Sequence, residues 1–209
     1  MEIKALEELD LTVLTRKSYG DDLQLEQKVA GIITKVKEEG DSALYELTEN
    51  FDRVDLRQTG LKVRDEEIAA AYRAVDDEFL SALRQAKQNI YDFHAKQKRT
   101  SWLDPSEDGS LLGQLLLPLK RVGIYVPGGT AAYPSSVLMN AVPAVVAGVQ
   151  EIVMVSPPRS DGSLLPEVLV AAAEAGVTEI YRVGGAQAIA ALAFGTEKNF
   201  GSGQDHRAG

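Results

Sequence analysis

Between residue 118 and residue 195 the chain alternates two kinds of segment, and few folds accept the alternation. The runs "RVGIYV", "EIVMV" and "EIYRV" are short and rich in β-branched residues. Each is followed by an apolar stretch of helical length: Ser135–Gly148, then about Leu164–Ala175, then "GGAQAIAALAFG". Strands that are apolar on both sides belong to a parallel sheet covered on both faces, and a β-α-β-α-β-α order supplies the covering helices as crossovers. The pattern therefore predicts an open, Rossmann-like sheet. Pro143 lies inside the first of these helices, which is expected either to kink or to start its first turn later. Strand order does not follow from the pattern.

Before Pro118 the chain reads as helical. Leu25, Val29, Ile32, Ile33 and Val36 recur at helical spacing, and in "EEGDS" Gly40 supplies a stop and Asp41 or Ser42 a new cap for a helix through about Asn50. "GLKV" is a candidate short strand. From "RDEE" one long helix is expected, with Ile68, Tyr72, Val75, Phe79, Leu83, Ala86, Ile90 and Phe93 on a single stripe, fading near Thr100. "DPSEDGS" then reads as an exposed turn or hairpin tip. The fold class is α/β: a mainly helical N-terminal segment over residues 1–118, an incomplete Rossmann-like parallel domain over 119–197, and a polar tail over 198–209.

Composition narrows the function classes. A formal net charge of −9 with no clustered Lys and Arg argues against a nucleic-acid partner. "KQKR" (Lys96–Arg99) is the densest basic run and reads as a solvated helix end. With no cysteine there is neither a disulfide frame nor a thiolate site, which suits a cytoplasmic protein. "MEIKALEELD" lacks the basic start and apolar centre of a signal peptide. Ser135–Val155 has the length of a membrane span, but Asn140, Pro143, Gly148, Gln150 and Glu151 interrupt it, and no membrane partner is expected.

In open parallel sheets ligands bind beyond the carboxyl ends of the strands. Two loops there carry suitable chemistry. In "YVPGGTAAYPSS", Gly128 and Gly129 remove side chains where a ligand would approach, Pro127 stiffens the turn, and Tyr125 could stack on or hydrogen-bond a ring. In "RVGGAQAIAA", Gly184 and Gly185 leave the third strand, and Gln187 in the first helical turn offers an amide to a polar ligand edge. Neither loop matches G-x-G-x-x-G or a Walker loop. On the residues alone, a small-molecule or nucleotide site and a purely conformational use of glycine both stand open. Other candidates point to structure: His94 to a packed or half-exposed side chain at the margin of the stripe, His206 to the tail, and Asp76, Asp77 and Glu78 to a solvated helix face. Two histidines and no cysteine make a transition-metal site built by this chain alone improbable.

"RVGIYVPGGTAAYPSSVLMNAVPAVVAGVQEIVMVSPP" followed by "GVTEIYRVGGAQAIAALAFGTE" closely resembles the histidinol dehydrogenase family, and the resemblance covers essentially Met1 to Glu197. It implies an NAD-linked, zinc-dependent oxidation of L-histidinol through the aldehyde to L-histidine, within histidine biosynthesis, in a homodimer. The family's NAD contacts fall on Tyr125 and Gln187. The family continues for roughly as many residues again, and that part supplies the zinc ligands, the catalytic Glu–His pair and most of the substrate pocket. The resemblance therefore assigns no catalytic or metal-ligating residue to this chain, which is expected to be inactive alone. The family's first α/β domain is completed by chain that returns after the second, so residues before about Pro118 are expected to lack strand partners. Two alternatives are a non-catalytic nucleotide-binding module and an assembly module of α/β type.

The tail "KNFGSGQDHRAG" matches the family's continuation in no register as protein. Among the permitted back-translations of Ser202–Gly209, one read a base later spells V-D-K-I-I-G-P-G, the family's next motif. The tail is accordingly expected to be a frameshift product, slipped in an A-rich run near residue 198, and not selected to fold. A natural short chain or an appended artificial tail are the alternatives. Sequencing the coding DNA decides: an A run of normal length, with no family sequence downstream in the other frame, refutes the slip.

Overall fold

The computed structural model describes residues 23–128 and 132–197. Three parallel strands form the central sheet: β3 (Arg121–Tyr125), β4 (Glu151–Val155) and β5 (Glu179–Tyr181), in the spatial order β3-β4-β5. Before them, β1 (Trp102–Pro105) and β2 (Leu111–Gln114) pair antiparallel as the expected hairpin, closed by a turn in which Ser106 N–H donates to Ser110 O at 2.8 Å. The "GLKV" segment contributes a single antiparallel bridge, Lys62 to Tyr181, on the outer side of β5. Val63 N–H donates to Ile180 O, and Arg182 N–H to Leu61 O, each at 2.8 Å.

Side chains alternate across a strand, and here both faces are buried. Ile152, Met154 and Ile180 join one core with α5 (Pro134–Ala147) and α6 (Pro166–Ala175). Val153, Val155 and Tyr181 join a second core on the opposite face, with α7 (Gly185–Phe194), α1 (Leu23–Glu39) and α2 (Asp41–Asp52). The alternating segments thus form the covered parallel sheet that they predict. Of the two outcomes expected for the helix carrying Pro143, the later start does not occur, and the helix runs through the proline. It begins at Pro134, and it ends at Gly148 in the left-handed conformation.

Four local expectations are corrected. The long helix from "RDEE" is two helices, α3 (Asp65–Ala74) and α4 (Asp77–Ala95), because Val75 is extended and Asp76 caps the second. The Asp76 carboxylate accepts from Phe79 N–H at 2.6 Å, satisfying a donor that the start of a helix would otherwise leave unpaired. Asp76 is therefore a cap and not part of a solvated helix face. Ile68, Tyr72, Val75, Phe79, Ala86 and Ile90 still pack on the first core around buried Leu83, whereas Phe93 leaves the stripe and is exposed. Neither Asp41 nor Ser42 caps α2: Gly40 takes the cap position at φ +55, and the Asp41 N–H donates to Glu197 Oε2 at 2.7 Å. A carboxylate 156 positions away in sequence does the capping.

Carboxylates tie the layers together. Burial alone would raise the Glu67 and Glu179 carboxyls, but hydrogen bonds outweigh it and bring both below their usual range: from Arg182 and the Arg64 N–H at Glu67, and from Tyr181 and Arg121 at Glu179. Arg84, donating to both oxygens of Glu174, lowers that carboxyl as well. A depressed folded-state value contributes stability that is present above the unfolded value, about 4.3 for Glu, and is lost as pH falls through the folded value. Asp52, raised by burial, has the opposite sign and among the described residues is a single group against six, Asp108, Asp161 and Glu197 being lowered as well. The urea midpoint should therefore fall between pH 5 and pH 3; an unchanged midpoint would show that these carboxylates are not coupled to folding.

Candidate functional site

Tyr125 is the last residue of β3, half-buried on the face that carries α7. Its hydroxyl accepts from the Gly185 N–H at 3.2 Å. Gly185 opens α7 at φ +66, a conformation that favours glycine. Gln187 follows in the first helical turn and is only 1% exposed. Its amide folds back over the turn, since a side-chain carbon on Gly185 would lie 2.6 Å from Gln187 Oε1. Tyr125 and Gln187 therefore belong to one junction, joined through Gly185.

Neither Oε1 nor Nε2 of Gln187 has a hydrogen-bond partner among the described residues. Leaving a buried amide unpaired costs roughly 1–3 kcal/mol, so native proteins rarely do so without a reason. A ligand's polar edge would pair both atoms.

The three strand ends are packed into one platform around Pro157. A side-chain carbon at Gly128 would come 2.5 Å from Pro157 O, and one at Gly184 would come 2.5 Å from Pro157 Cγ. Only glycine fits either place, because Pro157 fills the space a side chain would take; the bare face of Gly128 meets Pro157 and not, as the sequence suggested, an approaching ligand. Gly129 lies outside the described residues. Between the platform and α6 is a cavity of about 10 Å³ lined by Pro127, Gly128, Ser156, Pro157, Arg159 and Leu164, room for about one water. A broader groove of about 490 Å³ runs along Asp77, Leu80, Ser81, Arg84, Gln85 and Gln88, all on α4, and touches neither Tyr125 nor Gln187.

His94 is half-exposed and hydrogen-bonds Gln97 Oε1 through Nδ1 at 2.8 Å; His206 lies outside the described residues. No group of three or more His, Asp or Glu side chains able to hold a metal occurs among the described residues. No helix among them is long and apolar enough to cross a membrane. Two features escape a reading of the sequence. The role of Pro157 lies in contacts with Gly128 and Gly184, distant in sequence. The Tyr125–Gly185 bond spans 60 positions.

Comparison with known proteins gives a consistent picture. The family model for histidinol dehydrogenase matches residues 15–200. The histidinol dehydrogenase of Moorella thermoacetica is 60% identical over 171 residues, 82% of this chain and 40% of that protein. That of Halalkalibacterium halodurans is 57% identical over 178 residues, 85% of this chain and 41% of that protein. The crystal structure of histidinol dehydrogenase from Elizabethkingia anophelis superposes with a TM-score of 0.80 at 37% identity, covering 88% of this chain and 41% of that one. The chain spans about two fifths of the length of the curated relatives it matches.

Proposed function

Because the chain belongs to the histidinol dehydrogenase family, we propose that residues 119–197 form the NAD-binding part of a cytoplasmic, homodimeric enzyme oxidising L-histidinol to L-histidine. The observation that carries this reading is the buried amide of Gln187, without a partner among the described residues, beside the Tyr125–Gly185 contact. Gln187 would offer a donor and an acceptor to the dinucleotide and Tyr125 its ring and hydroxyl, while Gly128 and Gly184 let the loops that carry them close on Pro157. When bound, NAD supplies the hydride acceptor.

Zinc does not fit the same way. With no suitable donor cluster among the described residues, no zinc site is assigned to them. Hydride transfer also needs the alcohol held against the nicotinamide and a base for its proton. We assign those groups to the part of the family's length that this chain does not span, so the chain alone should bind NAD without oxidising histidinol. Calorimetry tests the first half: micromolar NAD binding is expected, and its loss in Tyr125→Ala. Zinc-dependent NADH formation from L-histidinol by the purified chain, at a rate near that of an intact family member, would refute the second half.

One observation favours assembly as well. Trp102, Leu103, Leu111, Leu112, Leu115 and Leu117 are all exposed on and just after the hairpin, and apolar patches of this kind mark partner surfaces. Concentration-dependent association in sedimentation, unaffected by NAD, would support that reading.

A further inference from the structure

We propose that Arg182, which lies outside the Tyr125–Gln187 junction, is a positioning residue that fixes the β5–α7 loop against its neighbours so that Gly184, Gly185 and Gln187 stand ready for the dinucleotide. The inference rests on the NAD-binding reading above.

Arg182 directly follows β5 and precedes the Gly184–Gly185 pair by two positions. Its guanidinium is 2% exposed. Nη2 donates to both oxygens of Glu67, at 2.7 and 2.6 Å, and Nη1 donates to Gly162 O at 3.3 Å. Each partner belongs to a different element. Glu67 sits in the first turn of α3 and also accepts from the Arg64 N–H at 3.0 Å, so its position is fixed by the helix start. Gly162, at φ +78, lies in the β4–α6 loop, within the turn that Arg159 N–H closes on Ser163 O at 2.9 Å.

That same loop carries Pro157, whose ring fills the space beside Gly184. The β4–α6 and β5–α7 loops are thus held together at two points, by Pro157 on Gly184 and by Arg182 on Gly162 O. A buried guanidinium is a poor way to gain stability, because apolar residues of similar volume often serve as well or better. What it supplies is direction: a planar fork with fixed donors specifies where its two partners, Glu67 and Gly162, stand. The Gln187 amide must meet a ligand at hydrogen-bonding distance, and displacement of the loop by an ångström would lose that.

The test uses Arg182→Met, Arg182→Lys and Glu67→Gln in the full chain, with amide hydrogen exchange at residues 184–187, exchange at residues 153–155 in β4 as internal control, and calorimetry with NAD. In Arg182→Met, exchange at 184–187 should accelerate about tenfold more than exchange at the β4 amides, as expected for a local opening beyond any loss of global stability. NAD affinity should weaken by about tenfold, a change equivalent to about 1.4 kcal/mol. Glu67→Gln should shift both in the same direction by less, and Arg182→Lys should recover part of the loss. Acceleration of loop and β4 amides in parallel, or of neither, would show that Arg182 only stabilises the fold and would overturn the proposal. If the unsubstituted chain binds no NAD, the dinucleotide reading falls, and the exchange pattern still upholds or overturns the clamp.

Discussion

Gln187→Leu should raise the melting temperature of the chain and abolish its binding of NAD. The substitution nearly preserves shape while removing two buried polar atoms that have no partner among the described residues. An unsatisfied buried polar group costs roughly 1–3 kcal/mol, and replacing it by an apolar group recovers part of that. For a chain of this size each kcal/mol corresponds to about 2–4 °C. Most substitutions near a fold's core destabilise it, so a stabilising change that eliminates binding separates a site residue from a packing residue. Scanning calorimetry together with NAD titration reads both quantities. A lower melting temperature would mean that the amide is already paired, by ordered water for instance, and would remove the main support for a ligand at this place.

Glu67→Ala should be the most damaging single change among the polar contacts described here. Its partner Arg182 is 2% exposed, whereas Glu67 itself keeps 27% of its side chain accessible. Truncating the glutamate leaves a guanidinium with little water to replace the lost carboxylate, and removing one member of a buried pair typically costs about 3–5 kcal/mol. Arg182→Met leaves a carboxylate that can still reach solvent and should cost less. Replacing both residues with apolar ones, Glu67→Leu with Arg182→Met, should recover much of the loss. Urea midpoints of the three variants make the comparison. A cost below about 1 kcal/mol for Glu67→Ala would place the pair among exposed ion pairs and contradict the burial of Arg182.

The features legible in the sequence are those that depend on neighbours along the chain. "EIVMV" alternates Ile152 and Met154 with Val153 and Val155, and both sets are apolar, which specifies a strand covered on two faces before any partner is known. Gly148 and Gly176 stop their helices in the left-handed conformation that other residues adopt at a cost. The "DPSEDGS" turn closes a hairpin through contacts spanning five residues. The pairing of Tyr125 with Gln187 is a different matter. Residue chemistry singled out Tyr125 and Gln187 but left the two glycine loops open to a purely conformational reading, and the role of these side chains as NAD contacts came from resemblance to a family.

What only the tertiary structure decided depends on residues far apart in sequence. The stripe from Ile68 to Phe93 is continuous in helical periodicity, yet the chain turns at Val75, because Asp76 caps a new helix and the two halves pack on different partners, α3 against α6 and α4 against α5. Glu197 caps α2 across 156 positions, and Arg182 meets Glu67 across 115. Pro157 shapes the site only because folding sets Gly128 and Gly184 against it. Hydrophobic periodicity and backbone preference act over a turn of helix or a strand, so a sequence can declare its elements. Ion pairs, caps and close backbone approaches act between whichever groups folding brings together, and they become visible only once the elements are packed.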